Sequence, residues 1–380
     1  MFLTITKYND IIGEEIMTSN RIAWFDNSKG ILIFLVVVGH LLEAYRHYNE
    51  NTVVLWLYNT IYTFHMPLFI LISGYFFREG RPRKILELFG VFLIWQLVNG
   101  VLAPLINTHH LPDLTHGGRL LELLVPEWTL WYLIGIVIWR AITPYVLKLR
   151  FPIVIAILAA IWASYIPDIT HAFSLRKLLN FYPFFLIGYT LGQKGTLLVL
   201  LEKVKTKGRS LQIGAGIFVL GFMAFMLYFT MNHFNTQLLF MSYSYHHFGW
   251  SFIKGMIFSI LFYGAVTTLC LAILTLIPKE RKLFIFSKLG TYSLYIYLLH
   301  SNIVRLFRTL APDWLTHDPL VLILVALGLA LAISLVTTSG PVIRLFRPLM
   351  EPKLSWLITS KEKESKPKAQ VRYNFSNQNS

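Results

Sequence analysis

The chain has 380 residues, of which 55% are hydrophobic and only 14% charged, with a mean hydropathy of +0.57. This composition excludes a fold whose main solvent is water. A net charge of +15 would suit nucleic acid, but the basic residues lie in short segments between apolar runs and form no stripe. Nucleic acid is therefore excluded as a partner, and the charge reads as membrane orientation.

Residues 1–29 form a polar leader, and no small-residue cleavage site follows the first apolar run, so the first helix is expected to stay in the protein. Ten apolar segments then follow, each able to cross roughly 30 Å of hydrocarbon at about 1.5 Å per residue. They are 30–45, 53–77, 85–106, 129–147, 151–166, 178–193, 210–231, 250–277, 289–310 and 319–338, the fifth and sixth being the shortest. The expected fold is all-α, a polytopic integral membrane protein with about ten transmembrane helices and both termini cytoplasmic. Its domains are the leader 1–29, a membrane domain 30–345 and a polar cytoplasmic tail 346–380.

With the N-terminus inside, the cytoplasmic pieces carry Lys29; Arg78, Arg81, Arg83 and Lys84; Lys148 and Arg150; and Lys203, Lys205, Lys207 and Arg209. Further along come Lys279, Arg281, Lys282, Arg344, Arg347 and the tail lysines. Of the 34 Lys and Arg, only Arg46, Arg119, Arg176, Lys177, Lys254, Arg305 and Arg308 fall on the other side. The outer connections 107–128 and 232–249 are long and rich in aromatics and His, which is material for a binding vestibule. Trp128 and Trp131 read as interfacial belt residues, and Lys254, Arg305 and Arg308 as snorkelling cations. No metal site is expected, because His109, His110, His116, His246 and His247 lack ligand spacing with carboxylates or cysteines. Cys270 reads as packing.

Ionisable groups at mid-membrane are costly and face the bundle interior, which makes them the place to look for function. His40, His65 and His300 each lie ten to twelve residues along their helices and reach similar depth. Each alone could be a neutral interhelical hydrogen-bonding group. His40 stands apart because Lys29 precedes it by eleven residues, which returns to the same helix face about 16 Å away. Asp26 and Glu43 extend this stripe at either end. The run from Arg78 to Lys84 holds four cations in seven residues. It can bind phosphates by charge-assisted bonds, or it can simply orient the chain and attract anionic lipid.

The segment Phe25-Asp-Asn-Ser-Lys-Gly-Ile-Leu-Ile-Phe-Leu-Val-Val-Val-Gly-His40 resembles the first-helix signature of the membrane acyltransferase 3 family, and in particular its fucose 4-O-acetylase-like members. Three further segments follow in order: Phe64-His-Met-Pro-Leu-Phe-Ile-Leu-Ile-Ser-Gly-Tyr75, Trp128-Thr-Leu-Trp-Tyr-Leu133, and Leu289-Gly-Thr-Tyr-Ser-Leu-Tyr-Ile-Tyr-Leu-Leu-His300. The resemblance implies acetyl-coenzyme A or another acyl-coenzyme A as donor substrate, a hydroxyl acceptor on a carbohydrate or lipid-linked sugar, and an essential histidine at His40. It also implies a basic residue eleven positions earlier, filled by Lys29, and an Arg-x-x-Arg pattern. Arg78 and Arg81 match that pattern, while Arg81 and Lys84 share its spacing. The hydrolase-like domain that some relatives carry is not expected in this sequence.

On this reading His40 is a general base for acyl transfer, or the carrier of a covalent acyl-histidine relay, both chemistries being open to imidazole. Tyr295, Tyr297 or His300 are candidate donors to the developing oxyanion, with His65 as structural support. The rival from another class is a transporter or flippase for a lipid-linked sugar or other amphiphile. Against it stand the absence of a duplicated half and of apolar segments broken at matching positions. The oligomeric state is not readable from the sequence.

Overall fold

In hydrocarbon each backbone N–H and C=O must find its partner within its own segment, so apolar runs of this length coil into helices. The computed structural model describes residues 23–46, 52–110, 125–167, 169, 172–193, 208–279 and 281–352. Most of the leader, the 111–124 part of the outer loop with His116 and Arg119, the lysines 203, 205 and 207, and the tail after 352 lie outside the described residues.

Ten helices occupy the first nine expected segments: α1 (Ala23–Glu43), α2 (Thr52–Tyr75), α3 (Pro82–Thr108), α4 (Trp131–Val146), α5 (Pro152–Tyr165), α6 (Leu175–Gln193), α7 (Gly208–Met231), α8 (Phe252–Leu276), α9 (Phe284–Thr291) and α10 (Ser293–Leu310). The tenth expected segment is α11 (Pro319–Thr337), and α12 (Gly340–Met350) closes the described chain. Among the described residues no strand forms. Seven helices have the length and apolar character to cross a membrane, among them α1, α2, α3, α7, α8 and α11. The protein is thus an all-α, multi-pass membrane protein.

Three boundaries differ from the sequence reading. The first helix starts at Ala23 rather than at Gly30, because its polar beginning is buried and tied down. Asn27 Nδ2 donates to the carbonyls of Pro278 and Arg281, and Asn27 Oδ1 accepts from the Leu283 amide at 3.1 Å. Trp24 Nε1 adds a bond to the Leu274 carbonyl. The ninth expected segment is split at Tyr292 into α9 and α10. The break falls two residues after Gly290, whose Cα is pressed against the Asp26 carbonyl of α1. Finally, α12 runs across the position where the polar tail was expected to begin.

Burial ranks the helices from centre to rim. In the most apolar stretch of α1, 78% of residues are buried, against 17% in α7. The outer face of α7 presents Ile217, Leu220 and Phe225, each more than half exposed, as a lipid-facing surface requires. At the centre, two helix crossings bring backbones together through glycine. A Cβ on Gly30 would overlap the Phe286 carbonyl of α9, and one on Gly290 would overlap the Asp26 carbonyl of α1. Gly74 of α2 and Gly188 of α6 meet in the same way, against Phe185 and Leu71. In lipid, where apolar burial gives no drive between helices, such close approach is what makes association favourable.

Candidate active site

One face of α1 carries Asp26, Lys29, Ile33, Val36, His40 and Glu43, alternately three and four residues apart. Ile33, Val36, His40 and Glu43 line a cavity of about 130 Å3 enclosed by α2, α4, α6, α10 and the turn before α4. His40 is partly exposed, whereas His65 and His300 are buried.

The ring of His40 is held through one nitrogen. Nδ1 lies 3.3 Å from Glu43 Oε2 and 3.1 Å from the Tyr62 hydroxyl. A carboxylate only accepts, so the neutral tautomer that bonds Glu43 is the one with the proton on Nδ1 and the lone pair on Nε2. Glu43 is fixed in turn, because Arg308 of α10 donates to its Oε2 at 2.8 Å and also to the His40 carbonyl at 2.6 Å. Arg46 approaches Oε1 at 3.6 Å. Trp128 packs edge-on against the His40 ring at 4.7 Å, with Arg305 and Arg308 over its own ring at 5.2 and 4.7 Å. Arg305 is paired with Glu127 at 2.8 Å.

The three histidines expected at one depth do converge. His300 stacks on His40 with ring centres 5.4 Å apart, and His65 lines the cavity beside Tyr62. Their bonding differs from that of His40. His65 donates Nδ1–H to the Ile61 carbonyl and His300 to the Ile296 carbonyl, each four residues back on its own helix. Only His40 is oriented by a carboxylate that another helix holds in place.

The expected oxyanion donors are engaged elsewhere. Tyr297 lines the cavity but gives its proton to the Thr129 carbonyl at 2.6 Å. Tyr295 lies outside the cavity and donates to Glu351. The buried Nε2 of His300 has no partner among the described residues, and with Nδ1 protonated it is an acceptor.

The other end of the stripe is closed. Lys29 is 2% exposed, with Nζ 3.2 Å from Asp26 Oδ1. Arg78 caps the end of α2 by donating to the Tyr75 and Phe77 carbonyls. Phe25 of α1 packs on Tyr75 and Phe76, so Arg78 sits at the same end of α1 as Lys29. Arg81 is half-buried at the start of α3, and Arg83 is paired with Glu87.

Several participants were missed or misread from sequence. Arg305 and Arg308 do not snorkel, since both turn inward to carboxylates. Trp128 and Trp131 wall the cavity and are not confined to an interfacial belt. For the arginines the physical reason is that Glu43 and Glu127 supply buried counter-charges. The available signal was spacing, because Arg308 lies eight residues beyond His300 and shares its helix face. Tyr62 and Lys177 gave no sequence signal of comparable strength.

The fold defines a multi-pass membrane protein with a histidine-lined cavity among its helices. The family model described as an acyltransferase domain matches residues 22–339. The chain belongs to the membrane acyltransferase 3 family. It is 35% identical over 196 residues to nodulation protein NolL of Mesorhizobium japonicum, a match covering 46% of this chain and 49% of that protein. A 60-residue stretch is 52% identical to nodulation protein NolL of Sinorhizobium fredii, covering 15% of this chain and 16% of the relative. The chain thus spans about half the length, or less, of these curated relatives. No solved structure matches it.

Proposed function

We propose that this membrane protein moves an acyl group, most simply acetyl, from cytoplasmic acyl-coenzyme A to a hydroxyl of a cell-surface or lipid-linked carbohydrate in the cell membrane. The observation that carries the reading is His40, which lines the cavity with its Nδ1 held between Glu43 and Tyr62. Membership of the acyltransferase family supports the acyl chemistry.

In direct transfer, Nε2 takes the proton of the acceptor hydroxyl while its oxygen attacks the thioester carbonyl. The C–S bond then breaks, and the thiolate leaves with the proton returned by the imidazolium. Glu43 stabilises that imidazolium, and Arg308 holds Glu43 in register. In the relay version Nε2 itself attacks the thioester carbonyl, the C–S bond breaks and the thiolate leaves; the acceptor oxygen then attacks the acyl carbon, the C–N bond breaks, and the hydroxyl proton taken up by the freed imidazole balances the departed thiolate. Arg78 and Arg81 are assigned to the donor's phosphates at the cytoplasmic end, and Lys29, expected from the sequence to join them, is buried against Asp26 and is assigned instead to holding that end of α1. In this assignment both termini and the loop 78–84 face the cytoplasm, and 107–128 faces outward.

The decisive experiment follows thioester consumption by the purified protein in lipid, with acetyl-coenzyme A and a carbohydrate acceptor. Acetyl transfer coupled one-to-one to thiol release is expected. Passage of a lipid-linked sugar across the bilayer with no thiol release would instead establish the transporter reading.

A further inference from the structure

Two neighbouring cations on α6 have opposite surroundings. Arg176 is buried and donates to the Ala163 and Pro167 carbonyls at 3.0 and 2.9 Å. Lys177, one residue on, lines the same cavity as His40, and its Nζ lies over the Trp131 ring at 5.1 Å. Among the described residues no carboxylate pairs with it. The one acidic side chain that lines the cavity, Glu43, is bound by Arg308 at 2.8 Å.

An ammonium group inside a membrane protein whose nearest carboxylate, Glu43, is already bound by Arg308 is only partly compensated, and a ring face offsets only part of the remaining cost. The favourable complement is an anion that arrives with the substrate. The cavity has room for on the order of ten waters, the scale of a single sugar ring rather than of a chain. Its walls combine flat aromatic surfaces, Trp131, Tyr62 and Phe240, with the catalytic candidate His40. Aromatic faces accept the apolar C–H face of a pyranose, while its hydroxyls turn to polar groups.

We infer that this cavity is the acceptor subsite and that it takes a glycosyl group bearing an anionic substituent, with the anion on Lys177 and a hydroxyl presented to His40. This rests on the acceptor half of the reading above and adds the charge of the substrate. The anion can be a carboxylate on the sugar ring or the phosphate joining a sugar to a lipid; Lys177 would bind either as a point charge.

The test measures equilibrium binding to the full chain in nanodiscs with no thioester present, so its outcome is independent of whether acyl transfer occurs. The probes are methyl glucuronide against methyl glucoside, and farnesyl phosphoryl glucose against farnesyl glucoside. The wild type is expected to bind the anionic member of at least one pair about tenfold more tightly, the scale of one charge-assisted hydrogen bond. Lys177→Gln should erase that preference while leaving the neutral probe's affinity unchanged, and Lys177→Arg should keep it. The pair that shows the Lys177-dependent preference identifies the source of the anion. Equal binding within both pairs by the wild type, or a preference that survives Lys177→Gln, would overturn the inference.

Discussion

The two ends of α1 carry the same device, a basic side chain with a carboxylate three residues away, in opposite settings. Asp26 and Lys29 sit 3.2 Å apart with side chains 10% and 3% exposed, next to the place where Gly30 and Gly290 bring two backbones into contact. His40 and Glu43 sit 3.3 Å apart with side chains 13% and 20% exposed, beside a cavity and under an arginine from another helix. Identical spacing on one helix therefore gives a closed structural pair at one end and an oriented, reachable base at the other. What separates them is the packing partner: backbone against backbone leaves no room, whereas large aromatic side chains bridging between helices leave a cavity.

The largest effect is expected at the open end. His40→Ala should lower acetyl transfer by roughly 10² to 10⁴ while the protein still inserts and expresses. His65→Ala and His300→Ala, whose rings are bound to their own helices, should cost far less. If turnover survives in His40→Ala and collapses in His65→Ala or His300→Ala, the assignment of the base is wrong; if all three keep it, the mechanism along this helix face fails.

At the closed end the sensitive property is stability. Gly30→Leu forces a side chain into the Phe286 carbonyl and should destabilise the bundle by about 1–3 kcal/mol or more. Gly214→Ala, where a Cβ meets nothing within 4 Å, serves as the neutral control. Thermal unfolding in detergent reads both, and equal Tm values for the two variants would remove the crossing from the account.

Glu43→Gln compares the two pairs directly. It should reduce kcat by roughly 10- to 100-fold, the scale on which an outer carboxylate orients a histidine, and should move the pH profile of kcat. Asp26→Asn should lower stability without moving that profile. A shift in the pH profile from Asp26→Asn, with none from Glu43→Gln, would reverse the roles of the two ends. The smallest effect is expected at the rim of the closed end, where Arg78→Ala and Arg81→Ala should raise the KM for acyl-coenzyme A by a few-fold and leave kcat nearly unchanged. Unchanged donor kinetics in both variants would leave that loop with orientation alone.

Much of this was legible from composition and spacing. Helices lie over all ten expected segments, because the bilayer imposes both the length of each apolar run and the pairing of its backbone. The stripe from Asp26 to Glu43 was legible too, since a helix has one period and its face can be counted. Arg308, Tyr62, Trp128 and Lys177 were not, because each reaches the site from a different element and its role depends on which carboxylate or ring it meets there. Likewise, no count of residues distinguishes His40 from His65 and His300 by the partners of Nδ1. Local rules fix the helices and the order of groups along each face; which of those groups is buried against a backbone, paired across helices or left facing a cavity is fixed only when the helices pack, because burial and charge pairing are properties of several segments at once.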